Sequence, residues 1–341
     1  MSNALFAKAV SSQSLSLDEA QTLMGLIMDG ELSSVKTAAV LAALRVRGET
    51  VAEISGFAKA MRARAVRVPV QAQTLVDTCG TGGNGTQTFN ISTASAFVVA
   101  AAGIKVAKHG NRTGSRQSGS ADLLEALGVR LEFRPEQVLE CIEQIGIGFL
   151  FARSHHPAMR HAAPVRAELG LPTVFNVLGP LTNPAGATHQ LLGVANKHLV
   201  PLMAGVLQQL EVRGALVVHG LAPDGTRYDD ISVAGKTHVA QMQGAQIKEY
   251  ELLPEDLGLE THPSEALLGA DSAHNAQIVR AVLGGAGSAA QRDAVAANAG
   301  AALFIAEGAE TLQTGVKKAL EILESGAALG KLEQFIRFSQ R

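Results

Sequence analysis

Residues 80–122 read GTGGNGTQTFNISTASAFVVAAAGIKVAKHGNRTGSRQSGSAD, two glycine-rich loops joined by an apolar segment. The first loop, Gly80-Thr81-Gly82-Gly83-Asn84-Gly85, follows the short apolar run Leu75-Val76-Asp77 and leads into Asn90-Ile91-Ser92-Thr93, where a helix can start. Its glycines let backbone N–H groups approach an anion closely, and the hydroxyls that follow add donors. The second loop, Lys108 to Arg116, follows the strand-like Ile104-Lys105-Val106-Ala107 and sets Lys108, Arg112 and Arg116 among Gly, Asn and Ser. The pattern predicts phosphate on one loop and further negative charge on the other. Neither loop has the Gly-Lys-Ser/Thr ending of a P-loop or the spacing of a dinucleotide fingerprint, so the phosphorylated ligand is not by default ATP or NAD.

Outward from this stretch, short β-branched runs alternate with helical patterns, which predicts an α/β fold with a mostly parallel central sheet flanked by helices. The expected strands are Thr74 to Asp77, Lys105 to Lys108, Gly148 to Ala152, Gln190 to Val194 and Ala215 to His219. Helices are expected at Thr93 to Ala102, Ser120 to Leu127, Pro135 to Gln144 and His198 to Gln209. In such sheets ligands bind beyond the carboxyl ends of the strands, where both loops fall. Later, Thr237 to Gln241 and Ile247 to Leu252 read as a hairpin, and Ala273 to Leu283, Gln291 to Ile305, Thr311 to Leu323 and Ala327 to Phe338 as closing helices.

The N-terminal region differs. Ser16 with Glu19 and Thr50 with Glu53 are capping-box patterns, and together with the run from Ser34 to Gly48 they predict three opening helices. Their apolar faces exceed what so little chain can cover, so they are expected to pack on a later segment or on a second subunit.

Composition narrows the function. A net charge of −2, two Tyr and no Trp argue against a nucleic-acid partner. Two cysteines, Cys79 and Cys141, give no disulfide framework and no zinc pattern, which fits a reducing compartment. The N-terminus lacks a signal-peptide pattern and no apolar run reaches membrane length, so the expected location is the cytoplasm, with no membrane partner.

The two loops resemble those of the anthranilate phosphoribosyltransferase family, which typically has GTGGDG followed by FNIST, then KHGNR and GSAD. His156-Pro157-Ala158-Met159-Arg160-His161-Ala162-Ala163-Pro164-Val165-Arg166 and Phe175 through Pro184 are similar to the family's next two signatures, and weaker matches run to the C-terminus. The resemblance implies a small all-helical domain, residues 1–70 with a later segment near 165–185, and a large α/β domain, residues 71–341, which that segment interrupts. It implies transfer of a phosphoribosyl group from 5-phosphoribosyl 1-diphosphate to the amine of anthranilate, with Mg²⁺ as cofactor, in a homodimer joined through the small domain.

Residue by residue, the resemblance assigns Gly80, Gly83, Asn84, Thr88, Asn90, Ser92, Thr93, Lys108, Arg112, Ser115 and Ser120 to the phosphoribosyl diphosphate. Gly80, His109, Asn111 and Arg166 are assigned to anthranilate. An Arg fork suits a carboxylate in a way that Lys does not. Ser92, Asp229 and Asp230 are the implied metal ligands, the two carboxylates in a surface-facing loop. No residue is singled out as an acid or base, because an arylamine is already neutral near pH 7. The chain departs from the family at Asn84, where Asp is usual, at Arg116, where Ser is usual, and at Asp230, where Glu is usual. Two alternatives remain. A pyrimidine nucleoside phosphorylase shares the implied architecture, although its KHSTGG-type loop is absent. A non-catalytic nucleic-acid-binding relative is disfavoured by the retained Asn111 and Arg166.

Overall fold

The computed structural model describes residues 2–112 and 118–341, so Ser115 and Arg116 lie outside the described residues. Four helices, not three, open the chain: α1 (Ser2–Ala9), α2 (Leu17–Met28), α3 (Ser34–Arg47) and α4 (Val51–Ala63). The capping boxes at Ser16/Glu19 and Thr50/Glu53 form as the sequence predicts. The extra helix, α1, has no acidic first turn to announce it.

The large unit begins with β1 (Leu75–Gly80), α5 (Ile91–Ala101), β2 (Lys105–Gly110), α6 (Ser120–Ala126), α7 (Pro135–Ile145) and β3 (Ile147–Phe151). Three short helices follow, α8 (Ala152–His155), α9 (Ala163–Leu169) and α10 (Phe175–Leu178), before the chain returns through β4 (His189–Gly193), α11 (Leu199–Gln209) and β5 (Gly214–Leu221). The small strand β6 (Arg227–Tyr228) pairs with β5, and the hairpin β7 (Lys236–Gln243) and β8 (Gln246–Leu252) extends the edge. Helices α12 (Ser272–Leu283), α13 (Ala289–Ile305), α14 (Leu312–Glu324) and α15 (Ala327–Ser339) close the chain. The sheet order is β3-β2-β1-β4-β5-β7-β8; the first five are parallel and the hairpin antiparallel.

Two expectations need correction. His109 and Gly110 belong to strand β2 and not to the loop after it, and β1 runs on to Gly80. The reason is the partner strands: β2 keeps its pairing with β3 through Gly110↔Phe151, and β1 with β4 through Gly80↔Gly193, so neighbours override the local turn signal of glycine.

One core packs α5 and α12 to α15 around Val76, Val106 and Phe149. A second joins the N-terminal helices to later chain: Ile54 and Phe57 of α4 share it with Val165, Phe175, Leu178 and Leu181, and with Val206 of α11 and Val217 of β5. The expected later segment thus does cover the opening helices, and α11 and the sheet cover them too. Burial of these side chains stabilises by roughly 1.5 to 3 kcal/mol each.

Strand pairing sets where a ligand can enter. β1 pairs with β4 from Val76 to Gly80, but with β2 only at Leu75↔Lys105 and Val76↔Val106. From Asp77 onward β1 and β2 part, and a cleft opens at their carboxyl ends, beside the β1–β4 pair where the strand order reverses.

Candidate active site

The cleft is a cavity of about 340 Å³ lined by the Gly80–Asn84 turn, Thr86 to Thr93, Lys108 to Arg112, Ser118 to Ser120 and Asp229-Asp230. Of the residues named from sequence, Gly80, Gly83, Asn84, Thr88, Asn90, Ser92, Thr93, Lys108, His109, Asn111, Arg112, Ser120, Asp229 and Asp230 are brought together here. Arg166 is not part of this lining, and Ser115 lies outside the described residues.

Successive strand side chains point to opposite faces, and at the tip of β2 this separates two tasks. Lys108 faces α5: its Nζ donates to Thr78 O at 2.6 Å and to Ser92 Oγ at 3.4 Å. His109 faces the α8 to α10 segment: its Nδ1–H donates to Gly179 O at 3.1 Å, which leaves Nε2 as acceptor, 3.3 Å from His156 Nε2. Burial, then the neighbouring His156 and His155, push the His109 imidazole well below its ordinary range; burial brings His156 down to about 4. Both rings are therefore neutral at pH 7.

At the first turn of α5, Asn90 stands at the cap position but makes no capping bond. Its Nδ2 donates to Ser118 O at 2.7 Å, and its Oδ1 accepts from Asn275 Nδ2 at 3.1 Å. An uncapped helix start beside a glycine turn is an anion site. Thr93 Oγ1 is buried without a partner among the described residues. Asn275 was not visible from the sequence, because it lies on α12, far along the chain.

The sequence puts Asp229 and Asp230 in a surface-facing loop; the structure instead holds both half-buried against the glycine turn. Gly82 N–H donates to Asp229 Oδ2 at 2.9 Å and Asn84 Nδ2 donates to Oδ1 at 2.6 Å. Asn84 thus offers a donor where the family's usual Asp would set carboxylate against carboxylate. Gly80 and Gly193 permit the approach: a Cβ on either would overlap Asp229. Burial raises both carboxyls, and Asp230 is raised further by the charge of Asp229, with Lys108 opposing. No described residue hydrogen-bonds to the Asp230 carboxylate, and no ready-made cluster of three metal-ligating side chains occurs among the described residues. Two crowded carboxylates and Ser92 Oγ make an all-oxygen set that fits a hard divalent cation sharing its remaining positions with a ligand and water.

Arg112 carries an internal tether. Its guanidinium pairs with Glu125 and, at 3.2 Å, with Asp122, and lies over the Phe151 ring at 5.7 Å. Arg166, on α9, lies 5.2 Å from the Phe175 ring centroid, and no described residue accepts a hydrogen bond from it. Burial lowers its pKa. A half-buried guanidinium without an internal acid is free to take an external carboxylate.

The buried histidines make stability depend on pH. For His156 the folded value, about 4, lies below the ordinary value of 6.5, so the unfolded chain takes up the proton first. The stability associated with neutral His156 is present above pH 6.5 and is lost as pH falls toward 4. Between pH 7 and 5 this amounts to about 2 kcal/mol. Unfolding titrations of wild type and His156→Gln at both pH values should show the variant losing less stability on acidification, by about that difference. Equal losses would show that His156 is not buried neutral.

The chain matches family models described as "Glycosyl transferase family, helical bundle domain" over residues 3–65 and "Glycosyl transferase family, a/b domain" over residues 72–329. It is 54% identical over 334 residues to the anthranilate phosphoribosyltransferase of Rubrobacter xylanophilus, covering 98% of this chain and 96% of that one. Among solved structures it is similar to the anthranilate phosphoribosyltransferase of Thermus thermophilus, with a TM-score of 0.94, 46% identity and complete coverage of both chains, 100% each. The Saccharomyces cerevisiae enzyme, solved in complex with phosphoribosyl diphosphate (PRPP) and Mg, has a TM-score of 0.89 at 29% identity, covering 99% of this chain and 97% of that one. A structure of the yeast enzyme with 4-fluoroanthranilate gives 0.87 at 28% identity and the same coverage, 99% and 97%. With its helical bundle and α/β domain in the same order and at this level of identity, the chain belongs to the glycosyl transferase family and, within it, to the anthranilate phosphoribosyltransferases.

Proposed function

We propose that the cleft between β1 and β2 binds phosphoribosyl diphosphate and that the chain transfers its phosphoribosyl group to the amine of anthranilate, releasing diphosphate, as a step of tryptophan biosynthesis. The observation that carries this reading is the convergence, in one cavity, of an uncapped helix N-terminus, a glycine turn, Lys108 and an acidic pair. Such a set suits a multiply charged phosphate ligand held through a divalent cation. A nucleoside phosphorylase would need no carboxylate-seeking Arg, whereas Arg166 is half-buried and unpaired among the described residues.

In this reading the residues mainly align and stabilise. The turn at Gly80, Gly82 and Gly83 and the α5 start with Asn90, Ser92 and Thr93 hold the diphosphate and ribose phosphate, with Lys108 beneath them. Arg112 must exchange Glu125 for a phosphate oxygen to take part, and Ser120 flanks it. On the opposite face His109, Asn111 and Arg166 orient anthranilate. An arylamine is neutral near pH 7, so alignment with C1 of the ribose and stabilisation of the leaving diphosphate supply most of the rate. Asp229, Asp230 and Ser92 would hold Mg²⁺. When bound, Mg²⁺ neutralises charge on the leaving diphosphate.

Mixing the protein with Mg²⁺, phosphoribosyl diphosphate and anthranilate should remove anthranilate fluorescence and release one diphosphate per anthranilate consumed; fluorescence that persists overturns the reading. For the metal, Asp230→Asn should shift the Mg²⁺ midpoint for calorimetric binding of phosphoribosyl diphosphate by about tenfold or more. An unmoved midpoint removes Asp230 from the site.

The same reading divides the chain into a small helical domain of residues 1–70 with the 165–185 segment, and a large domain of residues 71–341. It also includes a second copy covering the small domain. Val35 and Val46, 80% and 89% exposed, lie on one face of α3 with Ala39 and Ala42 between them. Sedimentation at the mass of a single 35.4 kDa chain would exclude the dimer. No helix among the described residues is long and apolar enough to cross a membrane.

A further inference from the structure

Where β1 and β2 part, the backbone groups that a longer ladder would have paired need other partners. The strands stop pairing at Val76↔Val106, which leaves Ala107 C=O and His109 N–H facing β1. Side chains take them up. Asp77 Oδ1 accepts from His109 N–H at 3.3 Å, and Asn183 Nδ2 donates to Ala107 O at 2.8 Å. The two are joined, because Asn183 Nδ2 also donates to Asp77 Oδ2 at 2.8 Å. Asn183 Oδ1 accepts from Ala185 N–H at 2.9 Å, which fixes the amide's orientation. Asp77 is fully buried and Asn183 is 5% exposed.

A buried carboxylate is costly, and an apolar side chain could fill the same gap. What a filler could not do is hold three parts of the site in fixed relation. Asp77 stands on β1, which runs into the glycine turn at Gly80. His109 and Ala107 stand on β2, whose tip carries Asn111. Asn183 lies in the segment by which the chain returns from α9, the helix of Arg166, to β4. His109 is held to this same segment through Gly179 O, and Gln190 Nε2 donates to Pro180 O at 2.6 Å.

We propose that Asp77 and Asn183 are a positioning pair, which holds β1 and β2 at the separation that sets the acceptor amine against the ribose carbon; this role rests on the transferase reading above. Neither Asp77 nor Asn183 lines the cavity. Its work is to fix the acceptor side relative to the diphosphate side, so its loss should spare diphosphate binding. The glycine turn remains hung on β4 through the β1–β4 ladder to Gly80↔Gly193 and through Thr81 N–H to Gly193 O at 2.9 Å.

The test uses Asn183→Ala and Asn183→Ser in the full chain, assayed well below their melting temperatures. Steady-state rates with each substrate varied are set beside calorimetric binding of phosphoribosyl diphosphate with Mg²⁺. For Asn183→Ala, kcat/KM for anthranilate should fall about tenfold or more, while affinity for phosphoribosyl diphosphate stays within about twofold. Asn183→Ser keeps one donor for Asp77 and should recover part of the loss, and it carries the test alone if Asn183→Ala does not fold. A lower melting temperature with unchanged kcat and KM values would overturn the proposal and leave the pair as packing. Equal losses toward both substrates would overturn it as well. A wild-type protein that consumes no anthranilate overturns the transferase reading and this role with it, whereas an active wild type with unaffected variants overturns the pair alone.

Discussion

Gly193→Ala should lower kcat/KM by about a hundredfold, because it strikes the acidic loop from behind without touching any ligand. Gly193 ends β4 beside Gly80, and a Cβ there would overlap the Asp229 backbone carbonyl and carbon. Backbone cannot rotate aside as a long side chain can, so the loop must shift or the strand must bend. Either movement breaks the Gly82 and Asn84 bonds to Asp229 and displaces Asp230 from the cavity. The loss should appear in Mg²⁺-dependent binding of phosphoribosyl diphosphate as well as in turnover, with the circular dichroism spectrum preserved. Wild-type kinetics in a folded Gly193→Ala protein would mean that the loop does not need its observed place.

For Arg166→Ala the expected result is a rise in KM for anthranilate of roughly tenfold to a hundredfold, since a lost charge-assisted pair costs about 1.5 to 3 kcal/mol. KM for phosphoribosyl diphosphate should change little. The structure sharpens the expectation: the guanidinium is half-buried against Phe175 and has no internal acceptor among the described residues, so no protein anion is stranded when it is removed. Arg166→Lys should fail to restore affinity, because a point charge does not reproduce the planar fork. Equal changes in both KM values, or a full rescue by Lys, would sink the assignment.

For this protein the sequence by itself determined the alternation of strands and helices, the two helix starts boxed by Ser16 and Thr50, and the positions of both loops. Each of these is local: capping, turn chemistry and side-chain period act over a few residues. The resemblance then carried residue roles onto those positions. It could not say that His109 and Gly110 are strand, because pairing with β3 decides that, nor that Asp229 and Asp230 are drawn in against the glycine turn. Only the tertiary structure brought Gly193 behind Asp229, placed Asn275 on Asn90, and paired Arg112 with Glu125. Gly in a strand, such as Gly193 at the end of β4, is where another backbone can approach closely, but nothing local names the backbone that does so. The parting of β1 and β2 after Val76 is likewise a property of the whole sheet. The Asp77–Asn183 bond that fills it joins residues 106 positions apart. Such contacts depend on which strands become neighbours, and that choice is made by packing the helices on both faces of the sheet, not by any short stretch of chain.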